Sequence, residues 1–232
     1  MTDFSNRHVV VTGGSGALGD GVVARLVEAG ADVHVPVFLP KELDRFAFRD
    51  HPRVHVRAGL DFTIEKTVER YYEELPGLWA SIHLAGGFSM APFTETSLET
   101  FLELMNRNAV TCFLTCREAV KAMRRSSGEG RIVNVAAKPA LTPTPGMVAY
   151  GASKGVVANL TQALAEELAQ EGIWVNAVAP SIIDTPANRR AMPNADHSAW
   201  PSPAQLAETI VHLASSDNGV VRGAVVPVFG RS

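Results

Sequence analysis

Two cysteines, three tryptophans and three tyrosines in 232 residues leave little aromatic or disulfide scaffolding for this chain. Cys112 and Cys116 are the only cysteines. Their spacing of four within a helical pattern, with no histidine or cysteine partner clustered nearby, suits reduced, packed thiols better than a redox pair or a two-ligand metal site. No apolar run approaches the roughly 18 residues needed to span a bilayer. Residues 1–8 lack the apolar core of a signal peptide, which leads to the expectation of a cytoplasmic protein. A formal net charge of −3 gives no electrostatic reason to expect nucleic-acid binding. His8, His34, His51, His55 and His212 show no metal-ligand spacing, and no metal is expected. His83, at a strand end, reads as a hydrogen-bonded structural histidine. There is no repeat, low-complexity tract or Gly/Ser linker.

What is present is an alternation. Hydrophobic residues make up 46% and charged residues 19%, enough apolar material for one well-filled α/β core. Short β-branched runs predict strands at Arg7–Thr12, Asp32–Val37, Val54–Ala58, Trp79–Leu84, Arg131–Ala136, Ile173–Ala179 and Ala224–Val228. Helical periodicity falls between them, at Leu18–Ala29, Leu39–Phe48 (short), Ile64–Leu75 (capped by Thr63), Ser97–Arg125, Val148–Gln170 and Pro203–Ala214. The long pattern at Ser97–Arg125 shows a slight break near Asn106–Asn108. Strands alternating with helices predict a doubly wound parallel sheet of Rossmann type. Residues 1–232 read as one domain, with a Pro-rich lid at about 184–203 on the rim where such sheets bind ligands.

Two motifs carry chemistry. Thr12-Gly13-Gly14-Ser15-Gly16-Ala17-Leu18-Gly19 lies between the first strand and the first helix. There, unpaired backbone N–H groups and the helix dipole form an anion site suited to a dinucleotide pyrophosphate. Tyr150 and Lys154, four apart on a helix, share a face. An ammonium close to a phenol stabilises phenolate and lowers the tyrosine pKa, as a general acid for carbonyl reduction requires.

With both motifs in this order, the chain resembles the short-chain dehydrogenase/reductase family over nearly its whole length. That resemblance implies NAD or NADP as cofactor, a small-molecule substrate, and a homodimer or homotetramer. It implies cofactor contacts from Thr12, Gly13, Ser15, Gly16, Ala17, Leu18 and Gly19 in the turn. Further contacts are implied from Asp61 near the adenine, Ala85-Gly86-Gly87 beside the ribose, and Pro180, Ile183 and Thr185 against the nicotinamide. Tyr150 and Lys154 would themselves touch the cofactor, and Asn108 would hold a water linking Lys154 to solvent. The turn departs from the family's usual pattern at Ala17, where glycine is usual.

Two points stay open. An acid ending strand two would suit NAD and a base NADP, but Val37-Phe38 stands there with Lys41 and Arg45 downstream, so neither rule is met. The family's substrate-binding serine, thirteen residues before the tyrosine, is Ala137 here. Either Thr142 or Thr144 substitutes for it, or the substrate builds little oxyanion charge. Ala137-Lys138-Pro139-Ala140-Leu141, Pro145-Gly146-Met147 and the lid residues around Met192 and Trp200 resemble dihydropteridine reductases within the family. Ala137, Thr142, Met192 and Trp200 are therefore the expected substrate contacts. Two rival readings are quinonoid dihydropteridine reduction and a non-catalytic dinucleotide sensor.

Overall fold

The computed structural model describes residues 2–232. Seven parallel strands form one sheet in the order β3-β2-β1-β4-β5-β6-β7. They are β1 (His8–Thr12), β2 (Asp32–Val37), β3 (Val54–Ala58), β4 (Ala80–His83), β5 (Gly130–Val135), β6 (Ile173–Pro180) and β7 (Val225–Val228). The Val/Ile/Ala runs of β1, β4, β5 and β6 are buried on both faces, as a helix-covered parallel sheet requires, while the edge strands β3 and β7 are largely open to solvent.

On one face α1 (Ala17–Glu28) packs beside α8 (Pro203–Ala214), burying Val22, Leu26 and Ile210 against Val9, Val33 and Val133. On the other lie α2 (Glu65–Glu73), α4 (Thr111–Arg125) and α6 (Val148–Glu167), burying Tyr71, Met123 and Val157 against Val10, Ile132 and Val175. Strand order reverses between β1 and β4. The loops leaving these two strands open the crevice in which ligands of such sheets bind. Among the described residues no helix is long and apolar enough to cross a membrane.

Every expected strand forms, with ends differing by a residue or so. Three segments differ in kind. Leu39–Phe48 yields only a 3₁₀ turn, Pro40–Arg45, none of whose residues is buried to hold a longer helix, while Phe46 just beyond it enters the core. Thr63 does not cap the next helix. Asp61 accepts from both Thr63 N (2.9 Å) and Thr63 Oγ1 (2.7 Å), and α2 begins two residues later.

The long Ser97–Arg125 helix is three pieces: α3 (Leu98–Leu104), a π segment (Met105–Val110) and α4. Ser97 Oγ caps α3 by accepting from Thr100 N. Thr111 N bonds Asn106 O, five residues back, and the extra residue in that turn re-aims Asn108 inward. Two short helices were not foreseen, α5 (Lys138–Leu141) and α7 (Pro186–Ala191). Proline in the first turn of each presets the backbone angle that starts a helix.

Candidate active site

The glycine-rich turn is shaped by how closely backbones meet. Gly13 adopts φ +68°, and a Cβ there would lie 2.8 Å from Ala85 N. A Cβ on Gly19 would sit within 2.5 Å of the Gly13 and Gly14 carbonyl oxygens, so α1 could not start where it does. Gly16 caps α1 without any side-chain hydrogen bond, which leaves the first-turn N–H groups free for an anion. The turn therefore fits a dinucleotide pyrophosphate. Thr12 Oγ1 accepts from Ala85 N at 3.3 Å, tying this turn to the loop after β4.

That second loop, Ala85-Gly86-Gly87, is clamped by Asn108. Its Oδ1 accepts from Gly87 N (2.8 Å), and its Nδ2 donates to Gly87 O (3.0 Å) and to Ser153 Oγ (2.9 Å). Ser153 Oγ in turn donates to Tyr150 O at 2.8 Å. A Cβ on Gly86 would meet Asn108 Oδ1 at 2.5 Å and Lys154 Nζ at 3.3 Å, so only glycine fits between them. Asn108, Ser153 and Lys154 are all buried. The fold thus brings Tyr150, Lys154 and Asn108 together with both glycine-rich loops at the carboxyl ends of β1, β4 and β5.

Tyr150 and Lys154 lie one turn apart on α6. Lys154 Nζ donates to Val135 O at 2.8 Å, and among the described residues no hydrogen bond joins it to Tyr150. Burial, with no charge to offset it, pushes the Tyr150 phenol up to about 12. Burial pushes the Lys154 ammonium down to about 8. Phe88, which the sequence reading did not single out, stacks edge-on against Tyr150 with ring centroids 5.0 Å apart. Its signal was only an aromatic residue directly after the Ala-Gly-Gly loop.

Behind Lys154 lies a cavity of about 10 Å³, room for about one water. Thr12, His83, Asn108, Cys112 and Lys154 line it. The cysteines were expected to have no histidine nearby. Folding corrects this: His83 Nδ1 lies 3.6 Å from Cys116 Sγ, and the two sulfurs are 4.0 Å apart. Both imidazole nitrogens are already engaged, Nδ1 with Asn134 Oδ1 and Nε2 with Ser81 Oγ, each at 2.8 Å.

Ala137 is buried at the start of α5 and offers no hydroxyl where the family's serine would stand. Thr142 is exposed, and Thr144 Oγ1 donates to Thr142 O at 3.3 Å. Pro180 ends β6, and Thr185 Oγ1 caps α7 by accepting from Asn188 N. Asn188 Nδ2 donates to Ile183 O at 2.8 Å. In the lid Trp200 is buried against the His197 ring (4.6 Å between centroids), and His197 Nε2 bonds Met192 O at 2.8 Å. Asp61 lies half-buried beyond β3, its carboxylate held by Thr63.

Comparison with known proteins gives one answer. A family model described as short chain dehydrogenase matches residues 7–196. Glucose 1-dehydrogenase of Gluconobacter oxydans (strain 621H) is 28% identical, covering 98% of this chain and 92% of its own. Cyclopentanol dehydrogenase of Comamonas sp. (strain NCIMB 9872) is 30% identical, covering 99% and 98%. The structure of a short-chain type dehydrogenase/reductase from Mycobacterium ulcerans superposes with a TM-score of 0.90 at 25% identity, covering 99% of this chain and 90% of its own. The free helix N-terminus after the first strand, the inward-facing lysine and asparagine beside it, and these full-length matches agree: the chain belongs to the short-chain dehydrogenase/reductase family and is an oxidoreductase of that type.

Proposed function

We propose that this oxidoreductase moves a hydride between NAD or NADP and a small carbonyl or alcohol, with Tyr150 as general acid/base. What carries the reading is the convergence of Tyr150, Lys154 and Asn108 with an uncapped, glycine-lined helix N-terminus in one crevice. The dinucleotide, when bound, supplies or accepts the hydride. The residues that would hold it are Thr12 to Gly19 on the pyrophosphate side, Ala85 to Gly87 and Asp61 toward the adenosine, and Pro180, Ile183, Thr185, Tyr150 and Lys154 toward the nicotinamide.

In the reducing direction Tyr150 donates its phenolic proton to the substrate oxygen as a C–H bond forms at the carbonyl carbon. A phenol near 12 is a poor acid at neutral pH. Lys154, still largely charged below about 8, is the group able to bring it down by approaching the developing phenolate. The one-water cavity between Asn108 and Lys154 supports the expectation that Asn108 helps return a proton from solvent.

The relatives act by name on glucose and cyclopentanol, so membership does not select a substrate. A second reading has a specific observation behind it. Ala137 offers no hydroxyl, so unless Thr142 or Thr144 supplies one, the site favours a substrate that builds little oxyanion charge, such as a conjugated imine or quinonoid dihydropterin. Met192 and Trp200 would then help to enclose the ring. Two further expectations belong with this proposal. A homodimer or homotetramer suits the exposed Leu98, Leu102, Phe113 and Val148 on α3, α4 and α6, and a cytoplasmic location suits two buried free thiols.

The test is a panel of carbonyls and quinonoid dihydropterin, assayed with NADH and NADPH on the wild type and on Tyr150→Phe. Turnover well above background in the wild type and near background in the variant supports the mechanism. Rates at background in both proteins across the panel would favour a binding protein, and a dihydropterin rate at background would remove the second reading.

A further inference from the structure

The end of β2 lacks an acid, yet the fold places one at the same spot from further along the chain. The 3₁₀ turn Pro40–Arg45 folds back so that Glu42 Oε2 accepts from Ser15 Oγ at 2.8 Å, while Glu42 Oε1 accepts from Leu39 N at 3.3 Å. Ser15 is inside the glycine-rich turn. That turn is seated on β2 itself, since a Cβ on Gly14 would lie 2.9 Å from Val35 Cγ1.

The Glu42 carboxylate is half-buried, and no ion pair neutralises it among the described residues. Lys41 and Arg45, on the same turn, are exposed and do not pair with it. Each carboxylate oxygen keeps lone pairs beyond the one hydrogen bond it accepts, so the group can take two further donors side by side.

A pyrophosphate at the N-terminus of α1 sets the adjoining adenosine ribose beside the end of β2. We infer that Glu42, held by Ser15, reads that ribose: it accepts from the 2′- and 3′-hydroxyls of NAD and turns away the 2′-phosphate of NADP. The inference rests on the dinucleotide reading above and goes beyond it by choosing between the two cofactors. The physical reason is charge. A 2′-phosphate is nearly dianionic at neutral pH, and setting it against a fixed carboxylate is a like-charge contact in a partly desolvated place, whereas a vicinal diol is two donors meeting two acceptors.

Titration calorimetry of NAD⁺ and NADP⁺ into the full chain tests this through affinity alone. The wild type should bind NAD⁺ at least about tenfold more tightly than NADP⁺. Glu42→Gln keeps the size and one acceptor but removes the charge. It should narrow the ratio by about tenfold, chiefly through tighter NADP⁺ binding, with an unchanged circular dichroism spectrum. Ser15→Ala, which frees the carboxylate to swing, should weaken NAD⁺ several-fold. Higher salt should shrink the wild-type discrimination.

Equal affinities in the wild type, or a ratio that Glu42→Gln leaves unaltered, overturn the assignment and leave the dinucleotide reading standing. A wild-type preference for NADP⁺ that Lys41→Ala and Arg45→Ala abolish also overturns it. Binding of neither nucleotide overturns both.

Discussion

Two buried hydrogen-bond networks flank the cavity behind Lys154, and they are built to opposite ends. One runs through the core under the sheet: Tyr72 OH to Ser81 Oγ, Ser81 to His83 Nε2, His83 Nδ1 to Asn134 Oδ1, and Asn134 Nδ2 to Thr161 Oγ1, which donates to Val157 O. Each of these groups finds a partner inside the protein, and the chain of bonds never reaches the crevice. The other runs from Gly87 through Asn108 and Ser153 to the Tyr150 backbone, with Lys154 on Val135 O beside it. Here Lys154 has used one of three donors, and the Tyr150 hydroxyl has no protein partner among the described residues. A closed network adds stability and fixes side chains; an open one leaves groups able to act on a ligand. Burial alone does not distinguish them, because Tyr72 and Tyr150 are both held above the ordinary phenol range by it.

The sharpest way to break this contrast is Tyr150→Phe. It should lower kcat by about 10³-fold, within the range for losing a positioned acid, while the midpoint of urea unfolding stays put. A variant that keeps its rate would place the chemistry elsewhere. Next in size is Lys154→Met, expected to cost about 10²-fold in kcat/KM yet to raise stability at neutral pH, since it removes a desolvated charge. Linkage gives the sign. The Lys154 folded pKa of about 8 lies below the ordinary lysine value of 10.5, so between these values the unfolded chain binds the extra proton. Wild-type stability should therefore rise as pH climbs from about 8 to 10.5, and the methionine variant should lack that rise. Over the same span the wild-type reduction rate should fall as the ammonium is lost, and in Lys154→Arg that fall should move to higher pH.

The closed network should answer in the other currency. Asn134→Ala removes partners of His83 and Thr161 and should cost about 2 kcal/mol in urea unfolding, with kcat/KM within a few-fold of wild type. Tyr72→Phe should show the smallest effect, about 1 kcal/mol of stability and no change in rate. A large kinetic loss in either variant would mean that the two networks act as one across the cavity.

Much of the fold was legible because its signals are local. Strands such as Val54–Ala58 are short β-branched runs between turn residues, and the glycine-rich turn announces itself through residues that must approach backbone closely. The break near Asn106–Asn108 was visible as polar residues interrupting an apolar stripe, though its form as a π segment depends on how α3 and α4 pack. The site was legible as a set, because Tyr150 and Lys154 are one helical turn apart and the glycines lie between a strand and a helix. Less legible was what each side chain bonds to. Lys154 points to the Val135 carbonyl, Thr63 turns back to Asp61 and leaves α2 without a side-chain cap, and Phe88 packs edge-on against Tyr150. Each follows from where a different strand or loop arrives.

By itself the sequence determined the period of every strand and most helices, and hence a doubly wound parallel sheet, because residue shape and polarity repeat with the period of the structure they form. It also determined which residues could do the chemistry, since only certain side chains carry a transferable proton or permit a backbone to come close. Tertiary structure alone decided which of these groups are left open and which are closed off. It set His83 beside two thiols 29 and 33 residues further along and gave its ring other partners, and it brought Glu42 to Ser15 across 27 residues. Those distances are fixed by how strands and loops register against one another, a property that no local stretch of chain contains.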